Sequence, residues 1–211
     1  MDSKFIYLYD PLCGWCYGFS SHLQKFHKAH QQVPIEVLSG GMVVGSRVGP
    51  LSQMAQYIKD ALKRVESLSG VKFGEHFMAN LNNGSEMIFD SEPPSRAGLI
   101  FKEFSEHQEL EIAHTIQEII YKEGKDPNVS SSYHLLAKKI GITPDLFDEY
   151  FSNHSFSLGV QDEFSHVKKF GVSGYPTLIY HSNNQYYLLS NGFTKTENLE
   201  RTYQAILDAI Q

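Results

Sequence analysis

Basic charge is in deficit in this chain. Eighteen Lys and Arg stand against twenty-four Asp and Glu, a net charge of −6. A surface of that balance has no general attraction for phosphate backbones or anionic lipid, so neither nucleic acid nor membrane is an expected partner. No leader is expected either. Met1-Asp2-Ser3-Lys4 runs straight into a strand-like stretch, with no room for a charged segment, an apolar core and a cleavage site, and the expected location is cytoplasmic. Internal repeats, low-complexity tracts and long polar linkers are missing, which argues against a repeat array or independently folding units. The Gly-rich stretch from Ser39 to Gly45 lacks the spacing that opens a phosphate-binding helix, and reads as a flexible rim. The scarcest residues are two cysteines and one tryptophan, and all of them fall in Cys13-Gly14-Trp15-Cys16.

What surrounds that tetrapeptide explains its chemistry. Phe5-Ile6-Tyr7-Leu8-Tyr9 has the aromatic and β-branched character of a buried strand, and Ser20 to Gln31 continues as a helix with Leu23 and Phe26 on one face. The cysteines therefore sit where a strand turns into a helix. The first N–H groups of a helix have no partner within it and carry partial positive charge, so a sulfur at Cys13 is stabilised in its anionic form. Cys13 is expected to be partly exposed. Cys16, one turn later, lies beneath it and within disulfide reach. The same residues fit other uses poorly. His27 and His30 follow too closely, and on one continuous helix, for a zinc finger. A bridge this local closes almost no loop, and a cytoplasmic pair is normally kept reduced, so a structural disulfide is disfavoured too.

With 41% hydrophobic and 20% charged residues, the chain can bury a full core as one large domain or as a small domain carrying an insertion. Val33 to Leu38 predicts a second strand, returning from the helix as a βαβ unit. From Leu51 to about His154 the pattern is helical, broken at Ser69-Gly70, Asn82-Asn83-Gly84, Gly124 and Gly141 to Pro144. Thr143-Pro144-Asp145 predicts an N-cap, a first-turn proline and an acidic first turn, and Asp90 to Pro94 opens a helix in the same way. A helix is predicted over Leu158 to Phe170. Gly174-Tyr175-Pro176-Thr177 then leads into a hairpin of Thr177 to His181 and Gln185 to Leu189. A proline there belongs at the strand start, since it has no donor for the ladder, and the tight Gly-x-Pro entry suits a cis bond at Tyr175-Pro176. The last helix is predicted to start near Thr194 or Thr196, with Thr194 and Glu197 spaced as a capping box.

Strand, Cys-x-x-Cys at a helix start, strand, and Gly-Tyr-Pro-Thr before a hairpin and a final helix together resemble the thioredoxin fold. The long helical insertion resembles its DsbA-like branch. Asp10 to Phe19, and less specifically Ser91 to Ala97, are most similar to the cytosolic DsbA-like protein-disulfide isomerases. The resemblance implies an α/β thioredoxin fold with a central mixed sheet of about four strands. Residues 1–50 and 156–211 would form the thioredoxin domain and 51–155 an all-helical insertion. It implies thiol–disulfide oxidoreductase activity of reductase or isomerase type on a disulfide-containing protein or small thiol. Cys13 would attack, Cys16 would resolve, and Trp15, Tyr175 and Pro176 would line the substrate groove. No metal or bound cofactor is implied beyond the dithiol, with glutathione or another thiol as recycling partner. Thioredoxins carry a buried acid six residues before the attacking cysteine, where this chain has Tyr7. Asp10 is the nearest carboxylate in sequence, and either accepts a proton from Cys16 or caps the turn into the helix. Two other readings share the architecture. Kappa-class glutathione transferases and hydroxychromene-carboxylate isomerases usually have serine in place of the attacking cysteine, so the intact pair counts against them. A noncatalytic adaptor would use the insertion to bind a partner protein.

Overall fold

The computed structural model describes residues 3–105 and 108–210; Met1-Asp2, at the expected leaderless start, and Gln211, at the expected domain end, lie outside the described residues. β1 (Lys4–Tyr9) is apolar on both faces, as a central strand must be. Its side chains alternate: Phe5, Tyr7 and Tyr9 join one apolar cluster, while Ile6 and Leu8 join another. α1 (Gly14–Ala29) crosses over to β2 (Ile35–Ser39), which runs parallel to β1 with Phe5 opposite Ile35 and Tyr9 opposite Ser39. This is the expected βαβ unit.

The insertion departs from the expected all-helical pattern at one place. β3 (Gly49–Pro50) precedes α2 (Leu51–Ser69) and α3 (Glu75–Asn82), and it pairs antiparallel with β4 (Ile88–Phe89). Two residues per strand are too few to show a period of two, so only backbone pairing reveals this ladder. α4 (Glu92–Phe104), α5 (Glu109–Tyr121), α6 (His134–Ile140) and α7 (Pro144–Ser152) complete the insertion. Thr143 caps α7 through the Leu146 N–H, and Pro144 occupies the first turn. The insertion joins the sheet domain through an aromatic contact, in which Tyr17 of α1 stacks on Tyr121 of α5 with ring centres 5.4 Å apart. Phe73 packs on both rings.

α8 (His154–Lys169) begins four residues before the predicted Leu158, because Asn153 supplies a cap to the Ser155 N–H. β5 (Thr177–Ser182) and β6 (Gln185–Asn191) form the predicted hairpin. Asn183 and Asn184 at its tip take positive φ angles of 51° and 60°, as a tight hairpin turn demands. α9 (Thr196–Ile210) starts at the later of the two predicted threonines. The Thr196 hydroxyl and N–H both bond His22 on α1, so a tertiary contact anchors this start rather than a box closed by Thr194.

The four-stranded sheet has the order β2-β1-β5-β6, with β1 and β2 parallel and the other pairs antiparallel. Phe19, Leu23 and Phe26 of α1 with Leu199 and Tyr203 of α9 cover one face. Val167 of α8 packs on the other. The register sets Leu8 opposite Thr177, which brings the end of β1 and the entrance of β5 side by side at one end of the sheet. The two sequence motifs, more than 150 residues apart, meet there because of that pairing. Among the described residues no helix is long and apolar enough to cross a membrane.

Candidate active site

Cys13 is the N-cap of α1, in extended backbone, and its Sγ accepts the Cys16 N–H at 3.3 Å. A sulfur in this position replaces the usual serine or aspartate oxygen and satisfies one of the orphan donors of the helix. The Cys13 thiol also donates to the Tyr175 carbonyl at 3.5 Å. Both cysteines are free. They differ in access less than the sequence suggests, since Cys13 is 4% exposed and Cys16 is fully enclosed. Cys13 reaches the outside through a cavity rather than from an open surface. That cavity, about 460 Å³, is lined by Cys13, Gly14 and Trp15 on one side and by α2 on the other. Burial first, then the hydrogen bond and the charge of Cys13, push the Cys16 thiol well above its usual range.

Asp10 is fully buried and joins three segments. Its Oδ1 accepts the Leu12 N–H at 2.9 Å and the Ser91 hydroxyl at 2.9 Å, while Oδ2 accepts the Met42 N–H at 2.6 Å. The first of these bonds is the turn cap expected from sequence; the other two tie the loop after β2 and the start of α4 to the cysteine loop. Both oxygens are occupied by these donors, and Asp10 reaches Cys16 as a neighbouring charge. Burial lifts the Asp10 carboxyl to about 6 even though the three donors pull it down.

The Tyr175–Pro176 peptide is cis. Pro176 is buried, and the Tyr175 carbonyl, not its ring, faces Cys13. The ring turns away onto the loop after β2, where its hydroxyl donates to the Gly40 carbonyl at 2.9 Å. A Cβ on Gly40 would stand 2.0 Å from that ring, so glycine is required for the approach. Of the three expected groove residues, Trp15 lines the cavity and the Tyr175 carbonyl meets the Cys13 thiol, with Pro176 following it across the cis bond. His27 is held by the Val33 carbonyl and His30 by Glu200.

A DSBA-like thioredoxin domain matches residues 6–204. The chain belongs to this family. DSBA-like domains are thiol–disulfide oxidoreductases, which act on disulfide substrates, and the chain is accordingly an oxidoreductase. Solved structures agree in fold over almost the whole length. A Nitrosomonas europaea protein described as a "putative protein disulfide isomerase" superposes with a TM-score of 0.85 at 22% identity, covering 99% of each chain. The cytosolic disulfide reductase DsbM of Pseudomonas aeruginosa gives 0.80 at 24% identity, covering 98% of this chain and 99% of its own. A 2-hydroxychromene-2-carboxylate isomerase gives 0.64 at 19% identity over 98% and 96%. No curated protein matches the sequence.

In this DSBA-like domain further residues join the site that the sequence did not mark as site residues. Ser91 reads as a helix cap, but its hydroxyl caps nothing and instead bridges Asp10 and the Val43 N–H. Gln117 on α5 is 1% exposed and donates to the carbonyls of Asp10 and Cys13, both at 3.4 Å. Its signal was a lone amide on a helix face otherwise built from Ala113, Ile116 and Ile120. Arg47, two residues beyond the Gly-rich rim and named by no motif, lines the cavity. Tyr7 lies fully buried in the Cys13 and Cys16 cluster, its hydroxyl without a hydrogen-bond partner among the described residues. Burial and the two cysteines raise that hydroxyl well above its ordinary range.

Proposed function

We propose that this DSBA-like domain is a dithiol reductase or isomerase in which Cys13 attacks a substrate disulfide and Cys16 resolves the mixed disulfide. The observation that carries the reading is the stacking of the pair. Cys13 sits on a cavity wall with two hydrogen bonds on its sulfur, while Cys16 is enclosed directly behind it and held protonated by burial. In the forward direction the Cys13 thiolate displaces one substrate thiolate; Cys16, losing its proton to that leaving group, then attacks Cys13 and releases the second thiolate, which takes up the proton Cys13 had released to solvent on ionising. The protein leaves as a disulfide and the substrate as two thiols. A low-molecular-weight thiol suits the return step, and the Pseudomonas DsbM has been solved with glutathione. The intact cysteine pair favours this reading over a transferase.

The direction follows from charge. Strong oxidants stabilise the attacking thiolate with positive charge or several donors, and Gly14-Trp15 provides neither. Lys25 and Lys28 lie about three to four turns down α1, and Arg47, on an exposed turn, makes no hydrogen bond to the Cys13 sulfur, whose partners are the Tyr175 carbonyl and the Cys16 N–H. A cytoplasmic reductase or isomerase is the role this fits, with a reduction potential of about −170 to −270 mV. Turnover of insulin or glutathione disulfide, measured beside the double variant Cys13→Ser, Cys16→Ser, tests the activity. Equilibration with glutathione buffers, followed by Trp15 fluorescence, tests the direction; a potential near about −120 mV would make the protein an oxidase.

A further inference from the structure

The cavity beside Cys13 is lined mostly by apolar side chains. One wall is a stripe of α2, with Met54, Ile58, Leu62 and Val65 at helical spacing, and Met42 and Phe89 close it from across. Among the described residues no acidic side chain lines it, and Arg47 is its one charged side chain. The Arg47 guanidinium has one long hydrogen bond, 3.4 Å to the Gly41 carbonyl, and no carboxylate stands within ion-pair distance of it among the described residues. Most of its donors are therefore available.

Three chemical demands follow from these neighbours. Cys13 requires a disulfide sulfur, the α2 wall requires apolar surface, and an unpaired guanidinium fork matches a carboxylate. A volume of about 460 Å³ lies in the range of small-molecule sites. A polar peptide such as glutathione would bury amides against methionine and leucine with few partners, a penalty that a hydrocarbon arm avoids. We infer that the substrate is a small disulfide with an apolar arm ending in a carboxylate, the arm lying along α2 and the carboxylate on Arg47. This inference rests on the dithiol reading above and names its substrate. Cys13 attacks the sulfur that bears the arm, and the other substrate half leaves as a thiolate. Cys16 passes its proton to that thiolate and attacks Cys13, which frees the arm as a thiolate that takes up the proton Cys13 had released to solvent on ionising. Two electrons pass from the protein dithiol to one substrate disulfide, giving one protein disulfide and two thiols.

The test is single-turnover oxidation of the reduced protein by symmetrical disulfides of ω-mercapto acids with short, medium and long alkyl arms. The primary amide of the longest, glutathione disulfide and bis(2-hydroxyethyl) disulfide complete the set, and each rate is divided by that of the same disulfide with free dithiothreitol. The rate should rise by about fourfold for each buried methylene until the cavity is full. The long diacid should exceed its diamide by about tenfold or more, and should exceed glutathione disulfide. Arg47→Leu should remove the advantage of diacid over diamide, and Arg47→Lys should keep part of it. Arg47 lies on an exposed turn, so neither change threatens the fold. A flat dependence on arm length, equal rates for diacid and diamide, or glutathione disulfide as the fastest substrate would each overturn the assignment while leaving the dithiol reading intact. Failure of every disulfide, bis(2-hydroxyethyl) disulfide included, to oxidise the pair would overturn the dithiol reading itself.

Discussion

Asp10 is the place where charge, burial and site architecture can be separated by titration. Its carboxyl is fully enclosed, and enclosure outweighs the N–H groups of Met42 and Leu12, the Ser91 hydroxyl and the more distant Arg47, which all favour the anion. The folded pKa of about 6 stands above the ordinary value of 3.8, so the folded chain holds this proton more tightly than the unfolded chain does. The stability that this proton contributes is fully present below the unfolded value and is lost as the pH rises through the folded one. A rise from 3.8 to about 6 corresponds to about 3 kcal/mol. Asp10→Asn cannot ionise and lacks this dependence, although its amide mismatches one of the converging donors and carries a constant penalty. The other titrating groups are shared, so the difference in unfolding free energy between the two proteins isolates Asp10. Urea unfolding under reducing conditions, from about pH 3 to about pH 7, should show the wild-type advantage shrinking by about 3 kcal/mol with rising pH. A difference that stays constant, or that grows toward neutral pH, would refute the view that burial dominates at Asp10.

Three further predictions concern the neighbours. Cys16→Ser should accumulate mixed disulfides on Cys13 while Cys13→Ser accumulates few, as read on non-reducing gels; the opposite pattern would exchange the two roles. Gly40→Ala should cost about 2 kcal/mol, because its new Cβ falls 2.0 Å from the Tyr175 ring. The same change in a Tyr175→Ala background should cost less than about 0.5 kcal/mol, and an equal cost in both backgrounds would place the strain elsewhere. Tyr7→Phe removes a buried hydroxyl that has no hydrogen-bond partner among the described residues, so thermal unfolding should show stability unchanged or raised by about 1 kcal/mol. A loss of that size would reveal a bond that the folded protein relies on.

Part of this site was legible because its signals are local. The strand of Phe5 to Tyr9, the cysteine pair at a helix start and the proline at a strand start each follow from neighbours in sequence, through side-chain alternation, helix-end donors and the missing proline N–H. The helical stretches of the insertion were legible for the same reason, whereas β3 and β4 were not, since two residues make a pairing but no pattern. The starts of α8 and α9 were displaced by contacts that propensity does not register, the Asn153 cap and the grip of His22 on Thr196.

What the sequence by itself determined is the chemistry at hand: two thiols one helical turn apart, with nothing charged between them. Spacing of that kind acts over a single turn and needs no distant partner. Only the tertiary structure decided how the pair is housed. Met42 and Ser91 meet Asp10 from 32 and 81 residues away, and Gln117 meets the carbonyl of Cys13 from 104. Such bonds join positions whose separation carries no periodic or propensity signal, and they form because burying Asp10 requires donors wherever the packed chain can supply them. The cavity, the closeness of Arg47 to it and the choice of the Tyr175 carbonyl over its ring belong to that same class. They are properties of packing between segments, and no single segment contains them.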